Sequence, residues 1–513
     1  MKTVFKTVAV VTIFSCVERF CGFIYRVFLS RTIGSEGVGL YQIALSVLGL
    51  FMTVTSSGIP ITVSRTMIKY KEEGHAEKTG KVVTGGIFFA VIISLPITLL
   101  VLLKCPVVGL LFSDPRCESL LRIMIPGLTI TSVYAVIRGT FWGNTQFLTY
   151  SVIELLEEAV MVVVGIILVN GITDPMQGAT YAAYAVLISY IFSFVTSVIT
   201  YFVKGGKLKS PAGELKPLFA SATPITAMRT ATSVINTLVA VLLPARLIRY
   251  GMSGDVAVSE FGRVYGMAMP LVFIPSTFIG SLALVLVPEL SSNYYSGNYK
   301  TLKNNIEKAI KFSVFIVSLI IPPFLVLGRN VGNIIYADEI VGDYVRKGAI
   351  TMLPMSLSII TTSILNSLNK EKRTLVYYLI GASALILSIM FLPKYLGVSS
   401  LILGMILSFS VTAALNLIAI KKVCPKKPQV IGYIAAATLI MIPSALFGLF
   451  LKGLLSKYTS DLLLLIVVTS VMDLFALIAF KVFGLLDFDG KSQNLSEKNF
   501  TRFKAGKRTN KRV

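Results

Sequence analysis

The chain has 513 residues, of which 55% are hydrophobic and 14% charged, with a mean hydropathy of +0.79. Soluble chains carry about 25% charged residues, so this composition excludes an ordinary soluble enzyme and a disordered protein. The net charge of +23 would point to nucleic acid on a soluble protein. Here the basic residues fall between apolar runs, the positive-inside pattern of a membrane protein, and no nucleic-acid partner is expected.

About 20 apolar residues span a bilayer. The chain offers about 14 such segments, near 8–30, 40–66, 82–103, 120–143, 151–170, 179–203, 218–245, 262–289, 310–328, 347–369, 374–393, 397–420, 429–451 and 460–484. The first follows Lys2 and Lys6 but meets Glu18 and Arg19, with no small-residue cleavage site after it. It reads as a helix and not as a signal peptide. The fifth is interrupted by Glu154, Glu157 and Glu158.

Charge in the connections tests the count. Lys69, Lys71, Lys78 and Lys81 follow the second segment, and Lys204, Lys207, Lys209 and Lys216 the sixth. The same parity holds at Lys300 to Lys311, Lys370 to Arg373 and Lys421 to Lys427, whereas 171–178 has no Lys or Arg. The alternation puts both termini in the cytoplasm of a multi-pass protein.

Pro288 follows Pro60 by the same interval as Pro354 follows Pro126. That interval corresponds to six helices, an even number, so the copies would run in one orientation about an axis along the membrane normal. The expected architecture is an all-α integral membrane protein with two six-helix lobes related by a pseudo-twofold. Residues 1–208 form the first lobe, 209–424 the second and 425–486 two appended helices. Residues 487–513 form a basic cytoplasmic tail, attracted to anionic lipid through Lys504, Lys507, Arg508, Lys511 and Arg512.

Signatures of enzymes are missing. The sequence has no Gly-rich P-loop with its Lys-Ser/Thr, and its single histidine, His75, leaves nothing for a His-based metal site or triad. No connection is long enough for a folded catalytic domain. Cys105 and Cys117 flank one external loop and could pair, although free thiols are the expectation. No enzyme activity, cofactor or metal is expected.

What remains is charge inside the membrane, where a side chain costs at least about 2.5–3.5 kcal/mol and so marks a cavity or pathway. Arg19 and Arg26 are two turns apart on one face of helix 1. Arg229 and Asn236 share a face of helix 7 by the same spacing. As first helices of the two lobes, these would occupy equivalent positions, and their guanidinium forks suit phosphate. Glu154, Glu157 and Glu158 share a face of helix 5 and, with Glu18, form a candidate proton or cation site. Arg65 and Arg138 lie nearer helix ends, where a snorkelling side chain is the expectation. Gly58, Pro60 and Pro275 are helix breakers and candidate hinges.

These residues carry a resemblance. The run from Gly22 to Gln42, GFIYRVFLSRTIGSEGVGLYQ, resembles the stage V sporulation protein B family, as do Ser57-Gly58-Ile59-Pro60 with Ser64-Arg65, and Gly266-Met267-Ala268-Met269-Pro270-Leu271-Val272. That family belongs with polysaccharide exporters, lipid II flippases and multidrug and toxic compound extrusion transporters. The resemblance implies a 14-helix fold with a central cavity. It also implies translocation of an undecaprenyl-pyrophosphate-linked saccharide, a lipid II-like precursor, for spore cortex peptidoglycan in the bacterial cell membrane. Arg19 corresponds to an arginine that lipid II flippases keep in helix 1, and Arg26 is displaced by one or two positions from a second. Two further arginines of those flippases have no counterpart: Pro270 and apolar neighbours occupy the helix 8 stretch, and Arg229 would supply charge from helix 7.

The expected function is therefore a flippase working by alternating access on a lipid-linked saccharide among membrane lipids, as a monomer. The alternatives are a cation-coupled multidrug antiporter of the same fold and a non-transporting scaffold in spore-wall assembly.

Overall fold

The computed structural model describes residues 2–211, 213 and 215–486. The expected tail, 487–513, lies outside the described residues. Among the described residues the regular structure is helical, and apolar helices follow one another with short connections.

Local chemistry sets the breaks. Helix α1 (Lys2–Ser56) is two helical limbs joined at Gly34, whose φ of 68° favours glycine. Helix α2 (Ile59–Glu72) starts at Pro60, in the first turn, where a missing N–H costs nothing. Helix α3 (Thr79–Leu102) carries Pro96 inside it, a site tolerated in a membrane span. Helices α4 (Pro115–Met124) and α5 (Pro126–Gly143) meet at Pro126 with a bend of 43°. Asp114 caps α4 by accepting from the Arg116 N–H at 2.9 Å. Helix α6 (Phe147–Val169) is followed by α7 (Pro175–Val203), capped by Asp174, which accepts from the Gln177 N–H at 2.7 Å. Helix α8 (Leu215–Arg249) contains Pro224 and Pro244.

The segment expected near 262–289 is not one continuous helix. After α9 (Gly254–Phe261) comes a π-helical turn, Gly262–Ala268, then a short turn, and then α10 (Ile274–Tyr295). Pro275 sits in the first turn of α10 and so marks a helix start. There follow α11 (Tyr299–Tyr336), α12 (Glu339–Gly348), α13 (Met352–Ser367), α14 (Glu371–Phe391), α15 (Ser399–Val423), α16 (Ile431–Leu455) and α17 (Asp461–Val482).

Among the described residues, 11 helices are long and apolar enough to span a bilayer, or 12 with the bent α4–α5 pair. The expected 14 is not confirmed. The difference has two physical sources. Two expected segments fall in the run Val11–Glu72, which contains the Gly34 break, and α6 carries three glutamates that spoil its apolar window.

The chain divides into two compact units, residues 1–267 and 268–513. The first packs α1 against α6, α7 and α8. Small residues let these backbones approach, the usual device where lipid supplies no hydrophobic drive between helices. A Cβ on Gly39 would lie 2.2 Å from the Val258 carbonyl oxygen, and one on Gly262 would lie 2.0 Å from that of Ser35. The core includes Ile59, Val63, Val82, Val136 and Phe141.

In the second unit, α11 packs against α12, α13, α16 and α17. A Cβ on Gly332 would lie 2.3 Å from the Gly342 nitrogen, so this crossing also needs glycine. A satellite core joins Val326 and Leu327 to Leu464, Val468 and Met472. Fully buried Asn416 donates to Thr361 at 3.2 Å and Thr362 at 2.9 Å, which ties α15 to α13.

Candidate functional site

The first unit holds a half-open chamber of about 130 Å³ that brings Glu18, Glu154, Glu157 and Glu158 together. Helix α1 supplies Glu18, and the i, i+3, i+4 spacing on α6 supplies the other three. Tyr134, Arg138 and Thr131 of α5 complete the polar wall, with Met52 and Ser56 from the second limb of α1.

The chamber is only partly neutralised. Arg138 Nη1 donates to Glu154 Oε1 at 3.3 Å, and the guanidinium lies 5.5 Å from the Trp142 ring and 5.8 Å from that of Tyr150. The Tyr150 hydroxyl lies beside Glu154, and Ser193 of α7 beside Glu157. Glu158 faces Arg26 and Glu18 electrostatically and sits against Gly22, where an added Cβ would fall 2.7 Å from its Oε1. Tyr134 is only 6% exposed, and among the described residues its hydroxyl has no hydrogen-bond partner. A buried polar atom without a partner is costly, and this one lines a cavity roomy enough for water or a small ion. The chamber's volume is below the roughly 300–1,000 Å³ of pockets for drug-sized molecules.

The arginines expected to bind substrate lie elsewhere. Arg19 is exposed beside Glu18, Arg26 is half-buried near Glu158, Tyr41 and Tyr265, and Arg229 and Asn236 are exposed on α8. None of the four lines the acidic chamber. Helix α8 packs on the second limb of α1: Thr237 donates to the Ser46 carbonyl at 2.9 Å, and Arg229 Nη1 to the Ser57 carbonyl at 3.4 Å. The structure thus ties Arg229 to the α1–α2 junction.

That junction holds two hinge candidates. Gly58 and Pro60 are buried. A Cβ on Gly58 would lie 2.5 Å from the Ala222 carbonyl oxygen on α8, and one on Gly139 of α5 would lie 2.8 Å from that of Pro60. Cys105 and Cys117 are both free.

Two residues of the chamber were not legible as such. Arg138 was expected to snorkel from a helix end; instead it turns inward to Glu154. Tyr134 carries no sequence signal beyond sharing a face with Arg138 on α5, four residues away.

Comparison with known proteins fits this bundle. Residues 4–294 match the polysaccharide biosynthesis protein family. The chain is 24% identical to stage V sporulation protein B of Bacillus subtilis (strain 168) over 441 residues, covering 83% of this chain and 85% of that protein. It is 21% identical to lipid II flippase MurJ of the same organism over 478 residues, covering 86% and 87%. Among solved structures, lipid II flippase MurJ in an inward closed conformation has a TM-score of 0.72 at 15% identity, covering 92% of this chain and 99% of that one. An inward-facing multidrug resistance MATE family transporter of the MOP superfamily has a TM-score of 0.65 at 16% identity, covering 82% and 96%. The fold is therefore the MATE-like one, and by the match over more than half its length the chain belongs to the polysaccharide biosynthesis protein family.

Proposed function

We propose that the chain is a membrane flippase for a polyprenyl-diphosphate-linked saccharide, a lipid II-like precursor, and that it serves spore cortex synthesis. Its termini face the cytoplasm, and it is a transporter and not an enzyme. Support comes from relatives named as a sporulation protein and a lipid II flippase, each matched over more than four fifths of its length.

The observation that carries the reading is the charged chamber inside the first unit. An apolar bundle that only anchored other proteins would have no reason to keep four carboxylates and a guanidinium at the level of its spans. The chamber is the coupling site. Its carboxylates are groups that can take up and release a proton. Arg19, Arg26 and Arg229, with Asn236, form the substrate site. Arg19, Arg229 and Asn236 are exposed at positions within spans, and a guanidinium there faces water more cheaply than lipid. Their charge suits a diphosphate and opposes a cationic drug.

The test is translocation of a fluorescent polyprenyl-diphosphate sugar by proteoliposomes. The parent protein moves the probe, and a folded Arg19→Ala, Arg229→Ala variant is at least about tenfold slower. No movement by the folded parent at any membrane potential overturns the reading in favour of a scaffold.

A further inference from the structure

A second cavity of the first unit, about 400 Å³, has the opposite charge. It opens where α2, α5 and α7 end and α3 and α6 begin, and its wall includes Lys71, Lys204, Lys207 and Lys209 against a single acidic residue, Glu77. The connections involved are those that charge asymmetry assigns to the cytoplasm. A topogenic lysine needs no cavity and no fixed position, yet these are held.

The strap that follows α7 is fixed by a backbone turn, close approaches and hydrogen bonds. Gly205 has a φ of 81°, which turns the chain back after the helix. Gly206 lies so close to the Tyr201 ring that a Cβ would fall 2.5 Å from it. The Tyr201 hydroxyl donates to the Lys207 carbonyl at 2.9 Å, and the Lys209 N–H donates to Thr84 Oγ1 on α3 at 3.2 Å. From the other side, Gly80 admits the strap: a Cβ there would be 2.6 Å from the Lys207 carbonyl oxygen. Lys71 and Lys204 are held by neutral acceptors. Lys71 donates to Asn144 Oδ1, and Lys204 to Thr149 Oγ1 at 2.6 Å and Gln146 Oε1 at 3.3 Å. Their charge is therefore positioned without being cancelled. The first turn of α3 also borders the cavity and adds the positive end of a 24-residue helix.

We infer that this cavity binds a phosphate-bearing anion, and that its occupant is the headgroup of an anionic lipid of the inner leaflet. The volume falls in the range of ligand pockets, lysine is a point-charge binder of phosphate, and basic pockets among helix ends on the cytoplasmic side take polyanionic headgroups. The site is distinct from both the acidic chamber and the arginines of the proposed substrate path, and it stands whether or not the chain transports.

The experiment uses the full chain in two arms: nanodiscs of phosphatidylcholine with increasing cardiolipin, and detergent solution with inorganic pyrophosphate. Melting temperature is read in both, since a ligand that binds the folded state raises it. The expected result is a rise with cardiolipin that requires about tenfold more lipid in a Lys207→Gln, Lys209→Gln variant. The variant leaves the strap intact, because its contacts run through backbone atoms. A Lys300→Gln, Lys303→Gln variant in the second unit responds as the parent does. A rise with pyrophosphate but not cardiolipin keeps the phosphate chemistry and overturns the lipid assignment. No rise with either probe, or a rise unchanged in the strap variant, overturns the inference.

Discussion

The two cavities of the first unit make an instructive pair. The acidic chamber is about 130 Å³ and walled by side chains from both limbs of α1 and from the interior of α5 and α6. The basic cavity is about 400 Å³ and walled by helix ends and a loop. Inside the bundle an unmet charge is costly, and the chamber holds four carboxylates against one guanidinium in its wall. At the helix ends water can solvate the lysines, so the cavity can be wide and keep its charge uncancelled. Position along the spans thus separates the two proposed occupants: a proton in the first cavity and a headgroup in the second.

The largest expected effect breaks the chamber. Among the described residues Arg138 is the one basic group in the chamber wall, and Arg138→Met leaves Glu154 without its ion-pair partner. Breaking a buried pair costs about 3–5 kcal/mol, and the half-buried setting here, with side chains 25% and 24% exposed, places the loss below that range. The variant melts lower than the parent, and Arg138→Met with Glu154→Gln recovers part of the difference. A single variant as stable as the parent would show that the ion pair does not organise the chamber.

Next comes coupling. Glu157→Gln and Glu158→Gln together keep the chamber's shape and remove two titrating groups. Translocation driven by an imposed pH gradient falls by about tenfold or more, while stability holds. The substrate side sharpens the contrast: Arg19→Ala alone lowers transport at every pH gradient and leaves the gradient dependence intact. If both variants lost the same thing, the division between coupling site and substrate site would be wrong.

A smaller effect tests the close helix packing of the first unit. Gly39→Ala places a methyl 2.2 Å from a carbonyl oxygen that cannot swing away. Overpacking of this kind costs about 1–3 kcal/mol. The expected outcome is a lower melting temperature with transport retained in the folded fraction. The smallest effect is the shift in lipid response on neutralising Lys207 and Lys209, which leaves basal transport unchanged.

Much of the fold was legible because a charge in an apolar run is conspicuous and expensive. Glu18, Glu154, Glu157 and Glu158 stood out on that ground, and the structure gathers all four in one chamber. The helical spans followed from apolar length. What was not legible depends on tertiary approach. Arg138 lies five residues from the end of α5, so local reasoning sent it to the interface, while packing of α5 on α6 brought it to Glu154. The basic cavity is assembled from α2, α3, α5 and the strap after α7, and in the sequence its lysines were indistinguishable from topogenic ones. The turn at Gly262–Ala268 gave no signal either, because a π-helical bulge has no composition of its own.

The most direct measurement is uptake of a fluorescent polyprenyl-diphosphate sugar into proteoliposomes across an imposed pH gradient, comparing the parent with the Glu157→Gln, Glu158→Gln variant. The account predicts gradient-dependent translocation in the parent and gradient-independent, slow translocation in the folded variant. Equal gradient dependence in the two would contradict it, since the chamber would then have no part in coupling.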